Sequence, residues 1–207
     1  MASLRAELLG LPESLPRFRL LLPEGWTATE ITEEAGENLE KQARQVFMRA
    51  GRPDLDGAFS SLLERAMREL GRAGGKYAIL PGAGRDGIAP PLSLIVSLIS
   101  GENGAPLDEW VASRFRRGAQ MLDDSGQIVY WRERSSAGEA GVEQVQSTYV
   151  APIPETARTK ALMFTGTTLV ETGAPDTSDS VVSGNAVFDA IVSTLSWVLV
   201  EAPAVQA

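Results

Sequence analysis

Residues 128–170 read IVYWRERSSAGEAGVEQVQSTYVAPIPETARTKALMFTGTTLV, and their pattern decides the fold. β-branched and aromatic residues gather in three runs, Ile128 to Arg134, Glu143 to Val150 and Thr159 to Val170, separated by Gly- and Pro-containing turns. Links this short join antiparallel neighbours, because a parallel pair needs a long crossover. Toward the N-terminus, Leu92 to Ile99 (LSLIVSLI) is almost continuously apolar between Pro90-Pro91 and Gly101, which predicts a central strand covered on both faces. Lys76 to Leu80 predicts its neighbour, and Arg17 to Leu22 (RFRLLL), stopped by Pro23-Glu24-Gly25, predicts an opening strand.

Helical periodicity fills the gaps between these strands. Glu33 to Ala50 and Leu55 to Leu70 are rich in helix formers, with Leu55, Phe59, Leu62, Leu63, Ala66, Met67 and Leu70 at three- and four-residue spacing. Gly51-Arg52-Pro53-Asp54 joins them as a stop followed by a start, so Ala28 to Gly75 reads as a helical hairpin inserted after the first strand. Leu107, Trp110, Val111 and Phe115 predict a third helix running to about Met121 with Trp110 facing the core. A polar loop from Glu171 to Gly184 then leads to Asn185 as the cap of a last helix, whose apolar face carries Phe188, Ile191, Val192, Leu195, Val198 and Leu199. The expected architecture is one α+β domain, a mainly antiparallel sheet covered by helices.

Composition removes much ordinary chemistry. The 207 residues are 43% hydrophobic, enough for one full core, and contain no His and no Cys. Disulfides, thiol nucleophiles, Cys/His zinc sites and Ser-His-Asp triads are therefore excluded. A formal charge of −8, from 19 Lys and Arg against 27 Asp and Glu, opposes phosphate backbones and anionic membranes, so no nucleic-acid partner is expected. No apolar run reaches the ~20 residues that span a bilayer, and residues 1–10 lack a signal-peptide core, so membrane insertion is not expected and the cytoplasm is the default compartment. Lys41, Lys76 and Lys160 are the only lysines, a skew toward Arg that fits a GC-rich bacterial genome.

Few motifs carry chemistry. Gly82-Ala83-Gly84-Arg85-Asp86-Gly87 matches G-x-G-x-x-G, but it leads into Pro90-Pro91 and a strand instead of a helix N-terminus, which reads as a hairpin loop and implies no cofactor. Asp123-Asp124 and the pair Asp176 and Asp179 are the remaining candidates for general acid/base work, in turn-like Ser/Gly surroundings. Arg114, Arg116 and Arg117 form a basic cluster in an acidic chain, suited to docking an acidic partner or a phosphate. Strand alternation puts Tyr130 and Trp131 on opposite faces, so one of them is a candidate interfacial aromatic, and Trp131 with Arg132 and Arg134 is the first choice of binding surface. Trp26, Trp131, Tyr130 and Tyr149 are also of the kind that line ligand cavities.

Three segments carry a resemblance. Phe18-Arg19-Leu20-Leu21-Leu22-Pro23-Glu24-Gly25-Trp26, the strand end Tyr149-Val150-Ala151-Pro152-Ile153-Pro154, and the closing Phe188-Asp189-Ala190-Ile191-Val192-Ser193-Thr194-Leu195-Ser196-Trp197 resemble signatures of the PsbP-like superfamily. That group includes Ran-binding Mog proteins, DcrB-like bacterial proteins and mycobacterial lipoproteins. The resemblance covers most of the chain outside Ala28 to Gly75 and implies a binding module with no shared active site.

The functional expectation is thus a non-enzymatic bacterial adaptor or chaperone-like module with a protein partner, at Trp131, Arg132 and Arg134 or at Arg114, Arg116 and Arg117. An exposed sheet edge is compatible with a homodimer. Two alternatives stand beside it: a binder of a small apolar ligand between sheet and helices, and a hydrolase built on Asp123, Asp124, Asp176 or Asp179.

Overall fold

The computed structural model describes residues 17–49, 51, 54–82, 89–124, 126–137 and 141–198. In chain order the elements are β1 (Phe18–Arg19), β2 (Thr27–Glu30), α1 (Glu33–Arg49), α2 (Asp54–Arg72), β3 (Gly75–Leu80) and β4 (Leu92–Ser100). A short 3-10 turn, Glu102–Gly104, leads to α3 (Asp108–Phe115), β5 (Gln120–Met121), β6 (Val129–Ser136), β7 (Val142–Pro152), β8 (Lys160–Glu171), α4 (Asp179–Ser193) and β9 (Ser196–Trp197). Seven strands form one antiparallel sheet in the order β2-β3-β4-β8-β7-β6-β5, and β1 pairs separately with β9. The fold is α+β with a large antiparallel sheet, as the strand runs and short turns predict.

Three boundaries differ from expectation, each for a physical reason. The opening strand shrinks to two residues paired with β9, and the main sheet begins at β2, whose TATE sequence is exposed at all four positions and carries no apolar alternation. The third helix stops at Phe115, because the chain turns at Gly118, whose φ of 99° suits glycine, and returns as β5. The last helix starts at Asp179 behind an extended Ser178, so Asn185 lies inside it, where its Oδ1 accepts from the Ser147 hydroxyl at 2.9 Å. The same helix ends at Ser193, so Leu195 and Val198 flank β9 instead of extending its apolar face, and Leu199 lies outside the described residues.

One face of the sheet carries the main core. Ile79, Leu94, Val96, Tyr149, Leu162 and Phe164 are sealed beneath Phe188, Ile191 and Val192 of α4. Gly166 permits that approach, since a Cβ there would lie 2.5 Å from the Phe188 ring. Leu20, Leu22, Trp26 and Trp197 pack against the same cluster, and the Phe18 ring meets Tyr77, Phe164 and Trp197 edge-on at 6.1, 6.5 and 6.4 Å. The opposite face is covered more sparingly. There Leu107 at the start of α3 packs with Val150 and Ala161, flanked by half-buried Ile99, Trp110, Val111, Trp131 and Met163. On β4, Leu94 and Val96 on one face and Ser97 on the other are buried, while Ile95 and Ile99 beside Ser97 are half-buried, so both faces are covered, the Leu94 face more fully. Helices α1 and α2 pack on each other, with Gly36 against the Met67 side chain, and α2 meets the main sheet at β3.

Candidate functional site

Strand alternation on β6 divides the residues that sequence grouped together. Tyr130, Arg132 and Arg134 point toward α4, opposite Tyr149, Ser147 and Val145, whereas Trp131 points to the other face beneath α3. Trp131, Arg132 and Arg134 therefore do not share a surface.

The two arginines on the α4 side are neutralised within the fold. Arg132 Nη2 donates to both carboxylate oxygens of Asp189, at 2.8 and 2.6 Å, and its guanidinium lies 4.8 Å from the centre of the Tyr130 ring. The Tyr149 hydroxyl donates to the same carboxylate at 2.7 Å, and the Tyr149 ring stacks on Tyr130 at 6.0 Å. Burial opposes the Arg132 charge, yet Asp189 outweighs it and holds the guanidinium above its ordinary range. Burial, reinforced by the bond to Asp189, pushes the Tyr149 hydroxyl far above the usual phenol range. Arg134 donates to Glu143 at 2.7 Å and to Asp176 at 2.6 Å. This face uses its charges to pin α4 to the sheet.

The α3 side uses its charges differently. Trp110 and Arg114, one helical turn apart, face Trp131 across the helix-sheet junction. The Trp110 and Trp131 rings meet edge-on at 5.9 Å, and the Arg114 guanidinium carbon lies 5.2 Å and 4.8 Å from their centres. A cation held against two indoles is fixed in direction without a carboxylate. Arg114 Nε and Trp131 Nε1 are buried without a hydrogen-bond partner among the described residues. Arg116 and Arg117, exposed in the turn after α3, likewise form no ion pair with a described residue.

Beyond the other flank of α3 lies an apolar cleft of about 450 Å³, lined by Leu107, Val111, Ala112, Phe115, Met121 and Val129. Phe115 and Met121 are 38% and 44% exposed, so the rim itself is apolar. At the opposite end Arg158 donates to Asp108 at 2.8 Å, tying the β7–β8 turn to the first turn of α3. That turn is strained, with Glu155, Ala157 and Arg158 at φ of 63°, 50° and 60°. Sequence reasoning found Arg114, Arg116 and Arg117 but not the cleft; the spacing of Val111 and Phe115 was its one available signal.

The remaining candidates do not converge. Asp123 borders a hollow with Ser193, Leu195 and Trp197 past the C-terminal end of α4, whereas Asp176 and Asp179 lie at its N-terminal end. A 15-residue helix separates those ends by about 22 Å, too far for one carboxylate pair. Gly82 leaves β3 for the β3–β4 hairpin connection, and the rest of the glycine-rich run lies outside the described residues. Among the described residues no group of acidic side chains is arranged to hold a metal ion, and no helix is long and apolar enough to cross a membrane.

No family model matches the chain, and no curated protein matches it. A crystal structure from Bacteroides thetaiotaomicron VPI-5482 is similar at a TM-score of 0.41 and 10% identity, over 88% of this chain and 45% of that one. The chain thus spans less than half the length of that protein.

Proposed function

We propose that the protein is a non-enzymatic cytoplasmic adaptor of bacterial type, which binds a protein partner through α3 and the sheet beside it. One observation carries this reading: three neighbouring arginines, Arg114, Arg116 and Arg117, have no carboxylate partner among the described residues of a chain whose formal charge is −8. Arg132 and Arg158 each pair with one carboxylate and Arg134 with two; Arg17, Arg19, Arg49 and Arg72 also form no ion pair with a described residue, but none of them belongs to a cluster of three beside two tryptophans. Two tryptophans around one arginine are also the residue types that dominate binding energy in protein interfaces. The resemblance to PsbP-like binding modules points the same way. The test compares the wild-type chain with Arg114→Met and Trp131→Ala, purified from the native host after native far-UV circular dichroism is verified. A stoichiometric protein that is lost from both variants supports the reading; a partner retained equally by all three chains overturns it.

A second reading rests on a different cavity. About 500 Å³ of space lies between the sheet and the segment around β1, lined by Phe18, Leu20, Leu22, Ala28, Tyr77 and Val96, with Arg17 and Arg19 at its border. Its walls suit a small apolar or acidic amphiphilic ligand, and it lies under a strap of chain instead of between sheet and helix. Native mass spectrometry decides it: a reproducible small-molecule adduct that disappears in Ala28→Trp supports a ligand, and an adduct-free mass removes it.

A further inference from the structure

The cleft beside α3 and the arginines at its end form one composite surface. Phe115 is the last residue of α3, Met121 closes β5, and the turn that joins these two cleft walls is Arg116 to Ala119. Arg116 and Arg117 are therefore fixed by chain connectivity to one end of an apolar cleft. At the other end Arg158 is satisfied by Asp108, so among the described residues the cleft is electrostatically asymmetric, with unpaired cations at the α3 C-terminus only. An eight-residue helix is about 12 Å long, which matches three or four residues of extended chain laid beside it.

We infer that this cleft takes a short acidic segment of the partner protein: a bulky apolar side chain enters between Val111, Ala112, Phe115 and Met121, and neighbouring carboxylates pair with Arg116 and Arg117. The inference rests on the adaptor reading and names the chemistry of its partner. Charge complementarity selects this occupant over a neutral or basic one. The acidic residues Glu33, Glu34, Glu37 and Glu40 of the chain itself lie on α1, outside the cleft lining. Guanidinium groups present paired donors that match a carboxylate, and each such pair strengthens as the apolar anchor excludes water around it. Ala112 is exposed on α3 and lines the cleft, so a larger side chain there fills the site without entering the core.

The experiment pans a displayed library of random 12-residue peptides against the full chain, then measures enriched peptides by fluorescence anisotropy. The expected winners carry Asp or Glu beside Phe, Leu, Met or Trp. Their affinity should fall at least tenfold in Ala112→Trp and in the double variant Arg116→Glu/Arg117→Glu. It should change less than twofold in Arg65→Glu/Arg68→Glu, which makes the same charge change on α2. Acidic peptides that bind all three variants like wild type overturn the site. Enrichment of neutral or basic peptides that Ala112→Trp abolishes overturns the acidic specificity and leaves the docking reading standing, whereas no enrichment at all removes both.

Discussion

Replacing Arg114 with methionine tests the proposed recognition role apart from stability, and the geometry sets the size of the stability effect. The wild-type guanidinium gains cation–π attraction from two rings at 5.2 and 4.8 Å; at a half-buried site this is about 0.5–1 kcal/mol per ring, or about 1–2 kcal/mol together. Against this stands a buried Nε with no acceptor, which costs about 1–3 kcal/mol. Methionine keeps the unbranched stem between the indoles and adds a sulfur–aromatic contact of about 0.3–1.5 kcal/mol. The terms nearly cancel, so Arg114→Met should unfold in urea within about 1 kcal/mol of wild type and melt within about 4 °C of it. Trp131→Ala should cost more, about 2–4 kcal/mol, since it deletes a ring packed against Trp110 and the cluster of Leu107, Val150 and Ala161 without being wholly sealed.

Partner binding should respond in the opposite order of economy: both variants lose it, although only one loses much stability. Equilibrium urea unfolding and partner affinity, measured on the same preparations, give the two axes. A loss above 3 kcal/mol in Arg114→Met would make this arginine a structural keystone and end the argument that its charge is held for another molecule. Unchanged partner affinity in that variant would be equally damaging.

Other perturbations test the frame that holds the site. Gly166→Ala places a methyl 2.5 Å from the Phe188 ring and should cost about 1–3 kcal/mol; Phe188→Leu should recover part of that loss in a double-mutant cycle, and strict additivity would refute the close contact. Asp189→Ala strands the Tyr149 hydroxyl and the half-exposed Arg132, a loss of about 2–4 kcal/mol by urea unfolding; a change under 1 kcal/mol would show that the network is incidental. Tyr149 has a folded pKa above its unfolded value of about 10, so its contribution is complete below pH 10 and declines as pH rises beyond it. The stability gap between wild type and Tyr149→Phe should therefore shrink as pH rises above 10, and a constant gap there would contradict the burial of the neutral hydroxyl.

Alternating hydrophobicity made the sheet legible: β4, β6, β7 and β8 fall within about two residues of their expected limits because each has a face that must be buried. The same rule fails where no face is buried. Thr27–Glu30 is an edge strand exposed throughout, so nothing in TATE distinguishes it from a loop. Ser183-Gly184-Asn185 looks like a helix start, but Gly184 is there because a Cβ would meet Thr168 Oγ1 at 2.4 Å, a tertiary cause without local signature. The site was legible in part. Alternation sends Tyr130 and Trp131 to opposite faces, as observed, and carried one residue further it sends Arg132 and Arg134 away from Trp131. The partnership of Trp131 with Trp110 and Arg114 depends on how α3 lies across the sheet, which no local pattern encodes.

If α3 docks a partner as proposed, the distribution of arginines on the two faces lets one sheet serve stability and recognition at once. On the α4 face, Arg132 and Arg134 lie beside carboxylates contributed by α4, the segment before it and β7, so their charges tie down the helix and are unavailable to a partner. On the α3 face, the short helix carries Asp108, already committed to Arg158, and Glu109, and among the described residues no carboxylate pairs with Arg114. Aromatic rings replace the missing counter-ion: they orient the guanidinium without neutralising it, which a carboxylate could not do. A lysine in that position would keep the charge but lose the planar fit against two indoles. The two faces are therefore separable by mutation, with Asp189 variants weakening the fold at constant partner affinity and Arg116 and Arg117 variants doing the reverse.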